Sequence, residues 1–235
     1  MQFNRFIGGF VILALVWGQT HRCGTMERLQ YLIQQDPTIL ERMAEVEAQT
    51  KAYIESQRYL PQQRTNNVIT IPVVVHIVYR TAAENISDAQ VQSQIQVLNE
   101  DFRRLNADAS NTPSAFQSVA ADAEIQFCLA TRDPLGNPTN GITRTQTTKT
   151  SFSVYTDDVK YSSQGGKDAW PTDQYLNIWV CNLSGGILGY AQFPNGGPAA
   201  TDGVVISYRY FGRGGSAQAP YNKGRTATHE VGHWL

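Results

Sequence analysis

The sequence is short of charge. Asp, Glu, Lys and Arg make up 17% of it, below the roughly 25% usual for soluble domains, and 19 basic residues against 20 acidic ones leave a net charge of -1. With no basic excess and no Lys/Arg stripe, nothing gathers a polyphosphate, which argues against a nucleic-acid partner. There is no internal repeat and no apolar run of the roughly 20 residues that a membrane span needs. Histidines number four and cysteines three. An odd cysteine count in an exported chain leaves at least one thiol free, metal-bound or paired outside the chain. What is present suffices for a core: 41% hydrophobic and 10% aromatic residues over 235 positions fit one sizeable globular domain with a small appendage.

Met1 to Arg5 is a short positively charged start, and Phe6 to Trp17 is apolar apart from Gly8 and Gly9. This pattern predicts a signal peptide over residues 1–18, cut before Gln19, and hence secretion. Residues Met26 to Gln57 carry helical periodicity, with Leu29, Leu32 and Ile33 on one face. Asp36-Pro37 suits a second helix start, and Ile39, Leu40, Met43, Val46, Tyr53 and Ile54 continue an apolar stripe. Tyr59 to Asn67 reads as a linker.

The remainder is a mixed body. Val68 to Tyr79 is β-branched and almost wholly apolar, as a buried strand requires. Ser87 to Leu105 places Val91, Ile95, Leu98 and Phe102 on one helical face, with Ser87 able to cap it. Ala123 to Ala130, Gln174 to Leu183, Ile187 to Phe193 and Gly203 to Phe211 read as further strands, and Gly224 to Leu235 as a final helix. That order predicts an α+β fold with a mixed sheet. Cys128 and Cys181 lie in two of these strands; they can pair with each other, pair elsewhere, or remain buried thiols.

Within the final helix, His229-Glu230-Val231-Gly232-His233 has the H-E-x-x-H spacing. Histidines at i and i+4 share one face, so both imidazoles can reach one Zn²⁺ at about 2.0–2.1 Å. Glu230, next to the first ligand, can serve as general base toward an activated water in peptide hydrolysis. His76, inside the apolar strand, reads as a satisfied core histidine.

HEVGHWL is similar to the opening of the metzincin signature H-E-x-x-H-x-x-G-x-x-H. With the strand IPVVVHIVY, the helix QVQSQIQVLNEDFRRLN and the run LNIWVCNL, residues 68–235 resemble the pappalysin family of metalloproteases. The resemblance implies a metzincin upper subdomain over residues 65–235: a twisted mixed sheet, a backing helix and an active-site helix. A helical propeptide over residues 19–64 would precede it. It further implies Zn²⁺ held by His229 and His233, Glu230 as general base, protein or peptide substrates cut before Arg or Lys, and calcium at ligands that the sequence does not place. The third histidine and the Met-turn would fall past Leu235, so the chain as given is expected to bind zinc weakly and not to turn over.

Arg22-Cys23-Gly24 is similar to the cysteine-switch core of matrix metalloprotease propeptides, which implies Cys23 as a zinc ligand in a latent form and the propeptide as an intramolecular inhibitor. A disulfide or a free thiol at Cys23 is the alternative. Activation cleavage is expected near Gln63-Arg64. Leu188, Gly189, Tyr190 and Ala191 resemble the edge strand on which metzincins hold substrate, where unpaired backbone groups accept an extended peptide. Two other readings compete: a gluzincin, with a later glutamate as third ligand, and a secreted β-rich binding module with a coincidental motif.

Overall fold

The computed structural model describes residues 22–58 and 68–235. The signal peptide and the expected cleavage at Gln63-Arg64 lie outside the described residues. The elements are α1 (Thr25–Gln35), α2 (Ile39–Gln57), β1 (Ile69–Tyr79), α3 (Asp88–Phe102), α4 (Ser114–Gln117), β2 (Ile125–Leu129), β3 (Ile142–Gln146), β4 (Leu176–Cys181), β5 (Gly189–Ala191), β6 (Val204–Ser207) and α5 (Arg225–Trp234).

The α+β expectation holds, with a six-stranded mixed sheet ordered β2-β1-β4-β6-β5. β1 is long enough to serve three partners: its first half pairs with β2 and its second with β3 on one side, and β4 runs along the other. All these ladders and β4-β6 are parallel; β5 alone is antiparallel, at the edge. Period-two alternation divides the side chains between two cores. Val73, Val75 and Ile77 of β1 and Leu176, Ile178 and Val180 of β4 face α3 and α5, meeting Val91, Leu98, Ala227 and Val231. On the opposite face Val78, Trp179, Cys181, Tyr190 and Val205 pack under Phe152, Val154 and Val159.

Several boundaries move. α3 starts where Ser87 caps it, its hydroxyl accepting from Gln90 N at 3.2 Å. The segment read as a strand over residues 203–211 keeps strand geometry only at Val204–Ser207, then turns through a 3-10 helix at Tyr208–Tyr210. β3 was not expected; its sequence ITRTQ is polar and becomes a strand by pairing with β1. The expected helix start is present, with Asp36 Oδ1 accepting from Thr38 N at 3.1 Å. The stripe on α2 is not buried: only Ile39 is enclosed, and Leu40, Tyr53 and Ile54 face outward. The three cysteines are all free, so Cys128 and Cys181 do not pair: Cys128 is exposed on β2 and Cys181 is enclosed on β4. His76 is a core residue, Nε2 3.0 Å from Asn177 Oδ1 and Nδ1 2.8 Å from Thr143 Oγ1.

Candidate metal centre

α5 is set in place from behind. Gln94 of α3 donates to the Gly224 carbonyl at 3.0 Å and accepts from Gly212 N at 2.6 Å, while Thr228 donates to Asp101 at 2.7 Å. Gly224 precedes the helix at φ 77°, where a Cβ would lie 2.9 Å from Val97, so the tight entry requires glycine. At the other end Trp234 Nε1 donates to Asp202 at 3.0 Å. Ala227 and Val231 face the core, which turns His229 and His233 outward toward the rim of β5 and directs Glu230 under it.

β5 crosses close above α5. A Cβ on Gly189 would sit 2.9 Å from Glu230 Cγ, so this residue also has to be glycine. Along the outer side of β5 runs the front segment, with Cys23 bridging to Gly189 in parallel. Leu188 N donates to the Arg22 carbonyl at 2.7 Å, and Gly24 N donates to the Gly189 carbonyl at 2.9 Å. Of the four residues expected as a substrate edge, Gly189, Tyr190 and Ala191 form the edge strand and Leu188 precedes it, and the outward Leu188 N and Gly189 carbonyl are already taken by the front segment. Tyr190 differs from the others: its ring is enclosed on the far face of the sheet, and its hydroxyl donates to Asp157 at 2.8 Å.

This pairing lowers Cys23 onto α5. Cys23 Sγ lies 3.6 Å from His233 Nε2 and 3.5 Å from Glu230 Oε2, and the two imidazole Nε2 atoms are 3.1 Å apart. All four ligand atoms fall within 4.8 Å of one another, across more than 200 positions of chain. A tetrahedral zinc ion with ordinary bond lengths separates two nitrogens by about 3.3 Å and a nitrogen from a sulfur by about 3.6 Å. The spacing and the N, N, S donor set thus fit zinc. Cys128 and His76 take no part in the cluster.

The electrostatics follow from enclosure. Burial pushes the Glu230 carboxyl up to about 7, against the opposing hydrogen bonds from Thr25 and Cys23. Burial, and then the charge of Glu230, raise the Cys23 thiol. Burial and His229 hold His233 below the ordinary imidazole value.

The sequence did not point to Thr25. Its hydroxyl donates to Glu230 Oε2 at 2.8 Å and accepts from Ala191 N at 2.9 Å, joining front segment, edge strand and α5. Nor did it point to Arg28, whose guanidinium enters a recess behind β5 and pairs with buried Asp157. A lone threonine and arginine on a helix carry no local signal for such contacts.

No protein-family model matches the chain. Among solved structures, Tannerella forsythia promirolysin, as a point mutant, is 55% identical over 91% of this chain and 68% of its own, with a TM-score of 0.79. Tannerella forsythia mature mirolysin in complex with a cleaved peptide is 65% identical over 71% of this chain, TM-score 0.69. An extracellular metalloprotease of Pyricularia oryzae is 28% identical over 95% of the chain. The chain spans 66% of that fungal protein's length and 63% of mature mirolysin. By this likeness over most of its length, the chain belongs to the mirolysin-like pappalysin family of metzincin metalloproteases.

Proposed function

We propose that the protein is a secreted, latent zinc-dependent endopeptidase, with residues 1–18 as signal peptide, 19–64 as propeptide and 65–235 as the amino-terminal part of the catalytic domain. One observation carries this reading: Cys23, 207 residues before Glu230 in the chain, converges with His229, Glu230 and His233. Extracellular metalloprotease relatives and the apolar leader support secretion.

His229 and His233 would hold the zinc ion, with Cys23 as a further ligand in the latent form. Zinc bound there supplies Lewis-acid chemistry, acidifying water and polarising a peptide carbonyl. Glu230, next to the first ligand in the chain, takes up and returns the proton. The front segment blocks the site in three ways. Cys23 takes the ligand position, Thr25 engages the carboxylate oxygen of Glu230, and the stretch from Arg22 to Gly24 occupies the edge of β5 that an extended substrate would use. The ring of Tyr221 lies 5.0 Å from the Arg22 guanidinium. A preference for cutting before Arg or Lys is proposed from the family resemblance. Separation at Gln63-Arg64 would release the segment.

The test is metal content together with latency. The complete proenzyme, with the rest of its catalytic domain, should hold about one zinc per chain, and Cys23→Ser in it should hydrolyse a quenched peptide without processing, with the activity lost in a metal chelator and in Glu230→Ala. Unchanged latency in Cys23→Ser removes the switch. Cleavage that survives both the chelator and Glu230→Ala removes the zinc mechanism.

A further inference from the structure

The recess that receives Arg28 has no role in the reaction proposed above. Most of it belongs to the body: Asp157, Lys160, Ala191, Gln192, Phe193 and Gly196 form its wall, and α1 closes it, leaving a void of about 10 Å³. Arg28 Nη2 donates to Asp157 Oδ2, and Nη1 donates to the Tyr155 carbonyl at 2.6 Å. Asp157 is 2% exposed and has φ 53°, a left-handed conformation uncommon for aspartate. Its other oxygen is committed within the body, accepting from Tyr190 Oη at 2.8 Å and lying 3.3 Å from Lys160 Nζ. Lys160 is itself held, donating to the Thr201 carbonyl at 2.6 Å.

Two acceptors are therefore aimed into the recess from residues that stay when α1 leaves: Asp157 Oδ2 and the Tyr155 carbonyl. With α1 gone both acceptors are left to water, and a guanidinium or ammonium group supplies a donor to each of them, charge-assisted at the carboxylate. Tyr190, which reaches Asp157, is the middle residue of β5, and Ala191 lies in the wall. The recess thus opens beside the strand edge, a short way along from Gly189, where Cys23 meets the metal centre.

We propose that this recess is a subsite for an arginine or lysine side chain of a substrate laid along β5, a few residues from the bond that is cut, and that Arg28 fills it in the latent form. The assignment rests on the reading of β5 as the substrate-holding edge. It makes Asp157 a specificity residue, and it makes the front segment an occupant of a side-chain pocket as well as of the metal centre.

Two measurements test it. In the full chain carrying Arg28→Ala, N-acetyl-arginine amide should raise the melting temperature saturably, N-acetyl-citrulline amide should not, and the wild-type chain should respond to neither. Equal responses to both amides, or the same response in wild type, overturn the proposal. In the activated enzyme, arginine, lysine, citrulline or norleucine is then walked through four positions on each side of the scissile bond, leaving the two flanking residues constant. One position should show at least a tenfold lower KM for Arg or Lys at similar kcat, and Asp157→Asn should remove that gap. Zinc-dependent cleavage with no such position overturns the subsite and leaves the peptidase reading standing. Absence of zinc-dependent cleavage overturns the peptidase reading instead, and the amide titration then decides alone whether the recess takes a cation. That titration uses no Asp157 variant, so misfolding of Asp157→Asn does not blunt the test.

Discussion

The body and the front segment are held by different forces. Residues 68–235 enclose two apolar cores, one on each face of the sheet. In residues 22–58 the only enclosed large apolar side chain is Ile39, and the other deeply placed side chains, Thr25 and Arg28, are polar. Burial of apolar surface is non-directional and scales with area, so the body is stabilised by many interchangeable contacts. The front segment is attached mainly at polar points, among them backbone pairing with β5, Cys23 and Thr25 on Glu230, and Arg28 on Asp157, with the Tyr31–Tyr155 ring contact and Leu29 and Leu32 adding a thin apolar margin. A segment docked in this way can leave without opening either core of the body, as the proposed release of a propeptide requires.

The largest effect that separates the two regions should come from the body. Trp179 is fully enclosed in the core of the outer face, and its indole donates to the Lys167 carbonyl at 2.7 Å. Trp179→Ala should reduce unfolding free energy by about 3–5 kcal/mol in urea titrations. A loss below about 1 kcal/mol would mean that the body is not held by its cores.

The next effect depends on pH and also belongs to the body. Burial brings His76 down from 6.5 to about 4. The unfolded chain then takes up a proton at this imidazole before the folded chain does, so stability should fall as pH drops from about 6.5 to 4 and be unaffected by this group above that window. The full contribution is about 3 kcal/mol, from the size of the shift. An NMR titration should find the ring neutral at pH 5.5; a charged ring there sinks the prediction.

Detaching the front segment should need less. Arg28→Ala leaves Asp157 with Lys160 as its remaining cation, so the loss lies below the usual range for a broken buried pair, at about 2 kcal/mol of docking free energy. Amide exchange in α1 should quicken by roughly 30-fold, following that free energy, with β1 and β4 unchanged. Equal quickening in β1 would mean that the two regions unfold as one unit.

How much of this was legible follows the same division. β1, β4, α3 and α5 could be read because their residues repeat at the period of the element they form, and H-E-x-x-H could be read because both histidines and the glutamate lie within one helical turn. β3 was invisible because ITRTQ acquires strand geometry only from the second half of β1. The cysteine-switch resemblance pointed to Cys23 through its two neighbours in sequence, and Cys23 lies in the cluster. Thr25 and Arg28 were not identified, because their partners lie 205 and 129 positions away and nothing in the local pattern marks them. An aspartate at φ 53° is equally silent in a sequence. The candidate metal centre was legible where it is helical and illegible where it is assembled across the fold.

The smallest expected effect is the sharpest check on the comparison. α2 is 19 residues long and encloses only Ile39, while Tyr53 and Ile54 are 65% and 62% exposed. Their spacing reads as a core-facing stripe, yet in the structure they add to neither core. Replacing both by serine removes little buried area, and exposed substitutions of this kind usually change stability by within about 0.5 kcal/mol. Melting temperature, zinc content and latency should all match the wild-type proenzyme. A clear drop in melting temperature would show that the stripe is covered in solution and that the front segment, like the body, is held by apolar burial. Its release would then expose an apolar face, and the separation of a polar, loosely held front segment from a self-sufficient core would no longer describe this molecule.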